Sequence, residues 1–273
     1  MARPAHRSLP GIAWRRGQRA EIHRALPEEV PVAVVIDGST LAVMMASPGD
    51  IRDFAIGFAL GEGVVASAEE ITGFEVVEHA AGIEARLWLR AGRAAELARR
   101  RRFMAGPVGC GLCGIDSLEA AMRPLPSVAD NALRLSAAEI GRATDDLRTR
   151  QPLHARTQGT HAAGFLRPGA GLVMVREDVG RHNALDKLIG AMARAGIDPA
   201  EGAFVMTSRL SVELVQKAAM AGAPILIAVS APTAHALRLA EGAGMTLAAF
   251  ARDGGFDAWT RPDRIIFEAQ HVA

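Results

Sequence analysis

The sequence lacks the features that would place it in a membrane, secreted or nucleic-acid-binding class. Its longest apolar stretch, PILIAVSAP at 224–232, is far shorter than the ~20 residues needed to cross a bilayer. No apolar stretch follows the basic N-terminus, so neither a membrane span nor a signal peptide is predicted, and a cytoplasmic location is expected. The net charge is only +1, from 31 basic and 30 acidic residues, which gives no general reason to expect a nucleic-acid partner.

Cysteine is also scarce. Cys110 and Cys113 are the only two thiols, and they lie three positions apart in the glycine-rich stretch GPVGCGLCGIDS at 106–117. Two neighbouring thiols cannot provide a disulfide framework for 273 residues, and a reducing cytoplasm keeps thiols free. The sequence therefore predicts a chemical role for this pair.

Three kinds of chemistry are open to the two thiols. A closed zinc site would need two further ligands, and the chain lacks the His-x-Glu and Pro-Cys-x-x-Cys signature of zinc deaminases. Thioredoxin-like disulfide exchange fits the spacing but not the basic, glycine-rich segment before Cys110. A thiolate that carries sulfur on a loop fits the four surrounding glycines better. A helix predicted to begin near Asp116 would lower the pKa of such a thiol.

Lysine is almost absent, since 29 of the 31 basic residues are arginine and the only lysines are Lys187 and Lys217. Two ammonium groups in an arginine-rich chain indicate a task that a bulkier guanidinium does not perform. Lys217 lies four residues after Glu213 on a predicted helix, a spacing typical of a surface ion pair. The run RRRR at 99–102 is interpreted as a solvated helix end, with attraction of an anionic ligand as the alternative.

The chain divides into four predicted segments. Residues 1–25, rich in arginine and proline, are expected to form a flexible arm. Residues 26–105 read as a small α+β module with two hairpins and one helix, and residues 106–117 form the loop that carries the thiols. In residues 118–273 short apolar runs alternate with helical segments. This alternation predicts an α/β domain with a mainly parallel sheet and flanking helices.

Polar residues and glycines follow four of the predicted strands, at the point where each strand ends. These residues are Arg176, Glu177, Asp178, Gly180, Arg181, His182, Asn183, Ser208, Arg209, Ser211, Ser230, Thr233, Arg252, Asp253, Gly254 and Gly255. In a parallel sheet they share the carboxyl edge, where open α/β sheets bind ligands. Three helices also begin there, and their N-terminal N–H groups together with the arginines favour a ligand that carries phosphates.

The alternative interpretation of these clusters is structural. Serine, threonine and asparagine would cap helices, and the arginines would pair with Glu177, Asp178 and Glu213. Neither GxGxxG nor GxxxxGK[ST] occurs, so a dinucleotide fingerprint or a P-loop is not the means of binding. His161, in TQGTHAAGF, fits a structural role when it is considered alone, whereas His182 lies in a denser polar cluster.

Six motifs, considered together, resemble one known family. In chain order they are GFALGEG, GCGLCG, TQGTHAA, REDVGRHNALDKLIG, TSRLSVELVQKA and SAPTAHALRLAEGAGMTLAAFARDG. The chain is similar over residues 28–267 to the formate dehydrogenase accessory sulfurtransferase family, also called FdhD. It departs from that family at Gln158, where glycine is common, and at TSRLS, which includes Ser208 and replaces the commoner SGRLS.

The resemblance implies a cytoplasmic homodimer that transfers sulfur. Family members take sulfur from a cysteine desulfurase and pass it to the molybdenum cofactor, a bis-molybdopterin guanine dinucleotide, before its insertion into formate dehydrogenase. The larger domain of the family resembles the cytidine deaminase fold without its zinc chemistry, and no resident metal is expected. A cofactor-binding chaperone, in which the thiols are auxiliary, is the alternative function.

The resemblance also assigns roles to residues. Cys110 matches the persulfide-bearing cysteine, and the paired thiols motivate the hypothesis that Cys113 then attacks Cys110 and releases sulfide. FARDGG at 250–255 matches the cofactor-binding segment of the family. Together with the polar clusters, the candidate cofactor-binding residues are His161, Arg176, Asp178, Arg181, His182, Ser208, Arg209, Ser230, Phe250, Ala251, Arg252, Asp253, Gly254 and Gly255.

Overall fold

The computed structural model describes residues 3–90 and 125–267. The first element is an antiparallel hairpin of β1 (His6–Arg15) and β2 (Gln18–Pro27). The expectation of a flexible arm over residues 1–25 is therefore corrected, because most of these residues lie in the two strands. The two linking residues, Arg16 and Gly17, both have positive φ, 50° and 79°, which suits the two-residue turn that matches strand twist.

In the described part of the small module, a four-stranded sheet packs with one α-helix. Its elements are β3 (Val30–Ile36), β4 (Ser39–Ala46), α1 (Ile51–Gly61), β5 (Ile71–His79) and β6 (Gly82–Leu89). The strand order is β4-β3-β6-β5. The first hairpin turns at Asp37 and Gly38, with φ of 48° and 77°, so the Asp-Gly signal is confirmed. The second turns one residue earlier than predicted, because Gly82 already belongs to β6.

The larger part of the chain contains helices on both faces of a six-stranded sheet. Its elements are β7 (Leu135–Ser136), α2 (Ala137–Thr149), α3 (Pro152–Thr157), β8 (His161–Arg167), β9 (Gly171–Asp178), α4 (Arg181–Ala195), β10 (Ala203–Met206), α5 (Val212–Ala221), β11 (Ile225–Ala228), α6 (Ala234–Gly242), β12 (Thr246–Arg252), β13 (Gly255–Thr260) and β14 (Ile265–Ile266). The sheet order is β13-β12-β11-β10-β8-β9. The predicted α/β class is confirmed, whereas the likeness to the cytidine deaminase fold stays a prediction.

The prediction of a mainly parallel sheet is wrong. Within the described residues, only the β10–β11 and β11–β12 pairs of this sheet are parallel. β8 and β9 form a hairpin, as do β12 and β13, and a hairpin forces its strands to be antiparallel. The boundaries proposed at 26–105 and 118–273 fall partly outside the described residues and stay predictions.

Alternate side chains of the central strands build a core on each face of the sheet. In β10, Phe204 and Met206 pack with α4, α5 and α6 on one face, and Ala203 and Val205 pack with α2 on the other. Helix α2 begins with the capping box that the spacing of Ser136 and Glu139 predicts. No helix among the described residues is long and apolar enough to span a bilayer.

The small module packs against α4 through a crossing of glycines. A Cβ on Gly57 of α1 would lie 1.7 Å from the carbonyl oxygen of Asp186, and one on Gly190 of α4 would lie 1.9 Å from that of Asp53. Neither position has room for a side chain, so the two helix backbones are in direct contact. We call this contact of α1 with α4, together with residues 45–47 at the end of β4, the seam.

Candidate functional site

The polar clusters meet at one edge of the six-stranded sheet, although the sheet is mixed. β8 lies between β9 and β10 and is antiparallel to both, so β9 and β10 point the same way. β11 and β12 follow that direction in parallel. The carboxyl ends of four strands, the start of β8 and the N-termini of α4, α5 and α6 therefore share this edge, which we call the rim. The residues placed there include His161, Arg181, His182, Ser208, Arg209, Ser230 and 250–255.

His161 begins β8, directly opposite Asp178 of β9. Its Nδ1 lies 3.4 Å from the hydroxyl of Thr207, which also accepts a hydrogen bond from the backbone of Ala162 at 2.9 Å. Burial lowers the pKa of the His161 imidazole from its ordinary 6.5, and the nearby cation Arg181 lowers that pKa further. His161 is thus a neutral donor or acceptor at pH 7 beside a cationic surface.

His182 lies in the first turn of α4 and faces the start of α5. Its Nε2 is 3.4 Å from the hydroxyl of Ser211 and 3.7 Å from the carboxylate of Glu213. Burial alone would raise the pKa of Glu213, but the contacts of its carboxylate with His182 and Ser211 outweigh burial and lower that pKa to about 2. The surface pair predicted between Glu213 and Lys217 is wrong, because Lys217 instead lies 2.8 Å from Asp186 and 2.7 Å from Glu62.

Three arginines of the rim are available to a ligand. Within the described residues, Arg181, Arg209 and Arg252 form no ion pair with a carboxylate, and the side chains of Arg209 and Arg252 are exposed. Phe250 is 38% exposed and has a φ of 53°, an uncommon conformation for a bulky residue. The next turn, Asp253 and Gly254, also has positive φ at both residues. This end of β12 therefore presents an aromatic ring and a guanidinium on a tight backbone.

Arg176 and Asp178 require a correction as candidate ligand-binding residues. Arg176 donates from Nε to the buried carboxylate of Asp53 at 2.9 Å, on α1. Asp178 is fully buried and lies 2.7 Å from the ammonium of Lys187. Alternation along β9 points both side chains at the seam, so their partners give them structural roles. Ser208 and Ala251 are buried as well, and Ser208 donates to the carbonyl of Arg209 at 3.0 Å.

The structural alternative holds for other members of the clusters. Thr233 caps α6 by accepting a hydrogen bond from the backbone of Ala236 at 3.2 Å. Glu177 accepts from the backbone N–H groups of Leu153 and His154, at 2.9 and 2.7 Å, and so caps α3. Sequence reasoning did not single out Thr207, although the departure TSRLS was a signal for it.

The departure at Gln158 has a visible consequence. Gln158 ends α3 in the left-handed region, with a φ of 52°, and its N–H bonds to the carbonyl of His154 at 2.7 Å. Glycine adopts this conformation without steric cost, which gives a physical reason for the glycine that is common here in the resembling family.

Cys110 and Cys113, with the whole predicted loop at 106–117, lie outside the described residues. The described residues contain no group of three His, Cys, Asp or Glu side chains that could hold a metal ion.

Comparison with known proteins decides the family. The model of the FdhD/NarQ family matches residues 27–266. The chain belongs to the FdhD/NarQ family. This agrees with the resemblance that the six motifs indicate.

FdhD/NarQ relatives match almost the whole chain. A protein from Agrobacterium fabrum named "Sulfur carrier protein FdhD" is 50% identical, covering 96% of this chain and 97% of its own length. A protein of the same name from Brucella abortus is 52% identical over 95% of this chain and 97% of its own length. The fold is similar to a crystal structure from Desulfotalea psychrophila, described as a candidate formate dehydrogenase accessory protein. Its TM-score is 0.76 at 25% identity, covering 96% of this chain and 100% of that one.

Proposed function

We propose that this protein is a sulfur carrier for the maturation of formate dehydrogenase. It accepts sulfur from a cysteine desulfurase as a persulfide on Cys110 and transfers it to the bis-molybdopterin guanine dinucleotide molybdenum cofactor, which is its bound substrate. The names of the relatives from Agrobacterium fabrum and Brucella abortus support the sulfur-carrying role. We expect the protein to act in the cytoplasm and as a homodimer.

The rim is the observation that carries the proposal. Arg181, Arg209 and Arg252 lack carboxylate partners within the described part of the chain, and three helix N-termini point to the same edge. Guanidinium groups and helix N-termini both favour phosphate oxygens. Phe250 offers an exposed aromatic face two residues before Arg252, and bases stack on such faces. This combination suits a large ligand that carries phosphates and an aromatic base.

The sulfur steps follow from the two thiols. The thiolate of Cys110 attacks the outer sulfur of the desulfurase persulfide, a new S–S bond forms on Cys110, and the desulfurase cysteine leaves as a thiolate. The thiolate of Cys113 then attacks the inner sulfur of Cys110 and displaces the outer sulfur as sulfide. The two cysteines are oxidised to a disulfide as the transferred sulfur is reduced to sulfide, and a thiol reductant restores them for the next cycle.

A cofactor-binding chaperone is the second candidate, because the arginines and helix N-termini of the rim favour phosphate oxygens whether or not a thiol takes part. Two variants separate the candidates, produced in bacteria that lack their own family member and assayed for formate dehydrogenase activity. The carrier proposal predicts that Cys110→Ala abolishes this activity, whereas Cys113→Ala retains the persulfide and slows its release. Full activity of Cys110→Ala, at equal protein level, would overturn sulfur carrying and favour the chaperone.

A further inference from the structure

One buried ion pair at the seam is completely satisfied. The carboxylate of Asp178 accepts four hydrogen bonds, from Lys187 Nζ at 2.7 Å, Ser47 N at 2.9 Å, Gly180 N at 2.8 Å and Asn183 Nδ2 at 3.0 Å. Asp178 and Lys187 are only 0% and 1% exposed. A carboxylate has about four acceptor sites, so nothing is left over for a ligand.

The ammonium of Lys187 also has an acceptor for each of its hydrogen-bond donors. Its three acceptors are Asp178, the carbonyl of Ser47 at 3.0 Å and the carbonyl of Glu177 at 3.5 Å. An ammonium has three donors, whereas a guanidinium has five in a planar fork and needs more space. This gives a physical reason for a lysine at 187 in a chain that otherwise uses arginine almost throughout.

One residue of the small module, Ser47, contacts both members of this pair. Ser47 donates its N–H to Asp178, accepts from Lys187 at its carbonyl, and accepts from the N–H of Val179 at its hydroxyl, at 3.1 Å. At the other end of the turn, Asn183 donates to the carbonyl of Met45 at 2.8 Å. The turn at 178–183 is therefore fixed by the end of β4, more than 130 positions away in the sequence.

This turn presents two residues of the rim. Arg181 and His182 follow Asp178 by three and four residues and form the first turn of α4. Gly180 precedes them as the N-cap and makes no side-chain cap, so the position of the helix start depends on the contacts of its neighbours.

We propose that Lys187, Asp178 and Ser47 form an inter-module latch that positions Arg181 and His182 for phosphate binding. Lys187 and Ser47 are positioning residues that do not touch the ligand. The latch rests on the proposed function of the rim, and it adds that the small module sets the geometry of the ligand site. Arg194, which pairs with Asp53 at the other end of α4, belongs to the same seam but not to the latch.

The test compares the full-length wild-type chain with Ser47→Ala, the charge-free double variant Lys187→Met/Asp178→Asn, and the seam control Arg194→Ala. Guanosine diphosphate is titrated by calorimetry at a temperature far below each unfolding midpoint. Ser47→Ala removes the hydrogen bond from the N–H of Val179 to the Ser47 hydroxyl and keeps the main-chain contacts of Ser47, so its affinity is expected to fall about fivefold. The affinity of the double variant for guanosine diphosphate is expected to fall further, about tenfold or more. Arg194→Ala is expected to bind within about twofold of the wild type.

A second measurement does not depend on ligand. Imidazole resonances of His182 in the ligand-free protein are expected to move in Ser47→Ala and to stay in place in Arg194→Ala. Unchanged affinity together with unchanged His182 resonances in Ser47→Ala and the double variant would overturn the latch and leave the proposed function intact. A wild-type chain that binds no guanosine diphosphate would count against the rim, and the His182 resonances would then decide the latch alone.

Discussion

Arginine and aspartate occur both at the seam and at the rim, but they have different partners in the two places. At the seam, Asp53 holds Arg176 and Arg194, and Lys217 is shared between Asp186 and Glu62. At the rim, the side chains of the arginines have no carboxylate partners within the described residues. Charged residues that pair with each other stabilise the fold, while those without partners are available to a ligand.

The seam is most easily disrupted at the glycine crossing of α1 and α4. Gly190→Ala would place a Cβ 1.9 Å from the carbonyl oxygen of Asp53, and the α1 and α4 backbones must move apart to make room. We expect a loss of about 3 kcal/mol in the free energy of unfolding, measured by urea denaturation. Gly242→Ala in α6 is the matched control, since a Cβ there meets nothing within 4 Å. Equal stability of the two variants would mean that the crossing is not tight.

The pH dependence of the free energy of unfolding tests the contact of Glu213 with His182 at the rim. Its pKa is lowered from 4.5 to about 2 in the folded protein, so the unfolded chain binds a proton first as the pH falls. The stabilisation is therefore present above pH 4.5 and is lost as the pH falls toward 2, with about 2 kcal/mol lost between pH 7 and pH 3. Glu213→Gln should remove this part of the pH dependence, measured by urea unfolding at pH 7 and pH 3. An unchanged pH dependence would contradict the pairing with His182.

Arg252 sharpens the comparison at the rim. Because its side chain is exposed and unpaired within the described residues, Arg252→Ala is expected to leave the free energy of unfolding within about 0.5 kcal/mol of the wild type. The same change should weaken binding of guanosine diphosphate about tenfold, since it removes a charged hydrogen-bond donor. Calorimetry and urea denaturation of one preparation give both values. A destabilised variant with unchanged affinity would make Arg252 a structural residue like Arg176.

The smallest expected effect is at Gln158, beside the rim. Gln158→Gly should relieve the positive φ of 52° and stabilise the protein by about 0.5 to 1 kcal/mol. The unfolding midpoint measures the change, and Gly159→Ala offers a contrast, because a Cβ there would lie 2.9 Å from Pro27. A lower midpoint for Gln158→Gly would mean that the glutamine side chain makes a compensating contact.

Local signals in the sequence predicted much of the fold. Asp37 and Gly38 fix a hairpin by their own conformations, and Ser136 with Glu139 fixes a helix start by hydrogen bonds three residues apart. The rim was predictable for the same reason, because each cluster directly follows its strand. The turn at Arg16 and Gly17 was missed, since an arginine with positive φ has no clear signature in sequence.

The seam could not be predicted, because it depends on residues that are distant in the chain. Asp178 looks like a rim residue by position, and only the fold shows that it is buried and bonded to Ser47, 131 positions away. The direction of β8 was missed as well, although residues 168–170, which connect it to β9, are too few for a crossover helix and indicate a hairpin. Lys217 was assigned to Glu213 by spacing, whereas the fold brings Asp186 closer.

The most direct test of the central claim is mass spectrometry of the protein after incubation with a cysteine desulfurase and cysteine, with and without reductant. The account predicts a gain of one sulfur on the peptide that contains Cys110, removed by the reductant and missing in Cys110→Ala. Absence of this adduct, with binding of the desulfurase demonstrated in the same sample, would contradict sulfur carrying by Cys110.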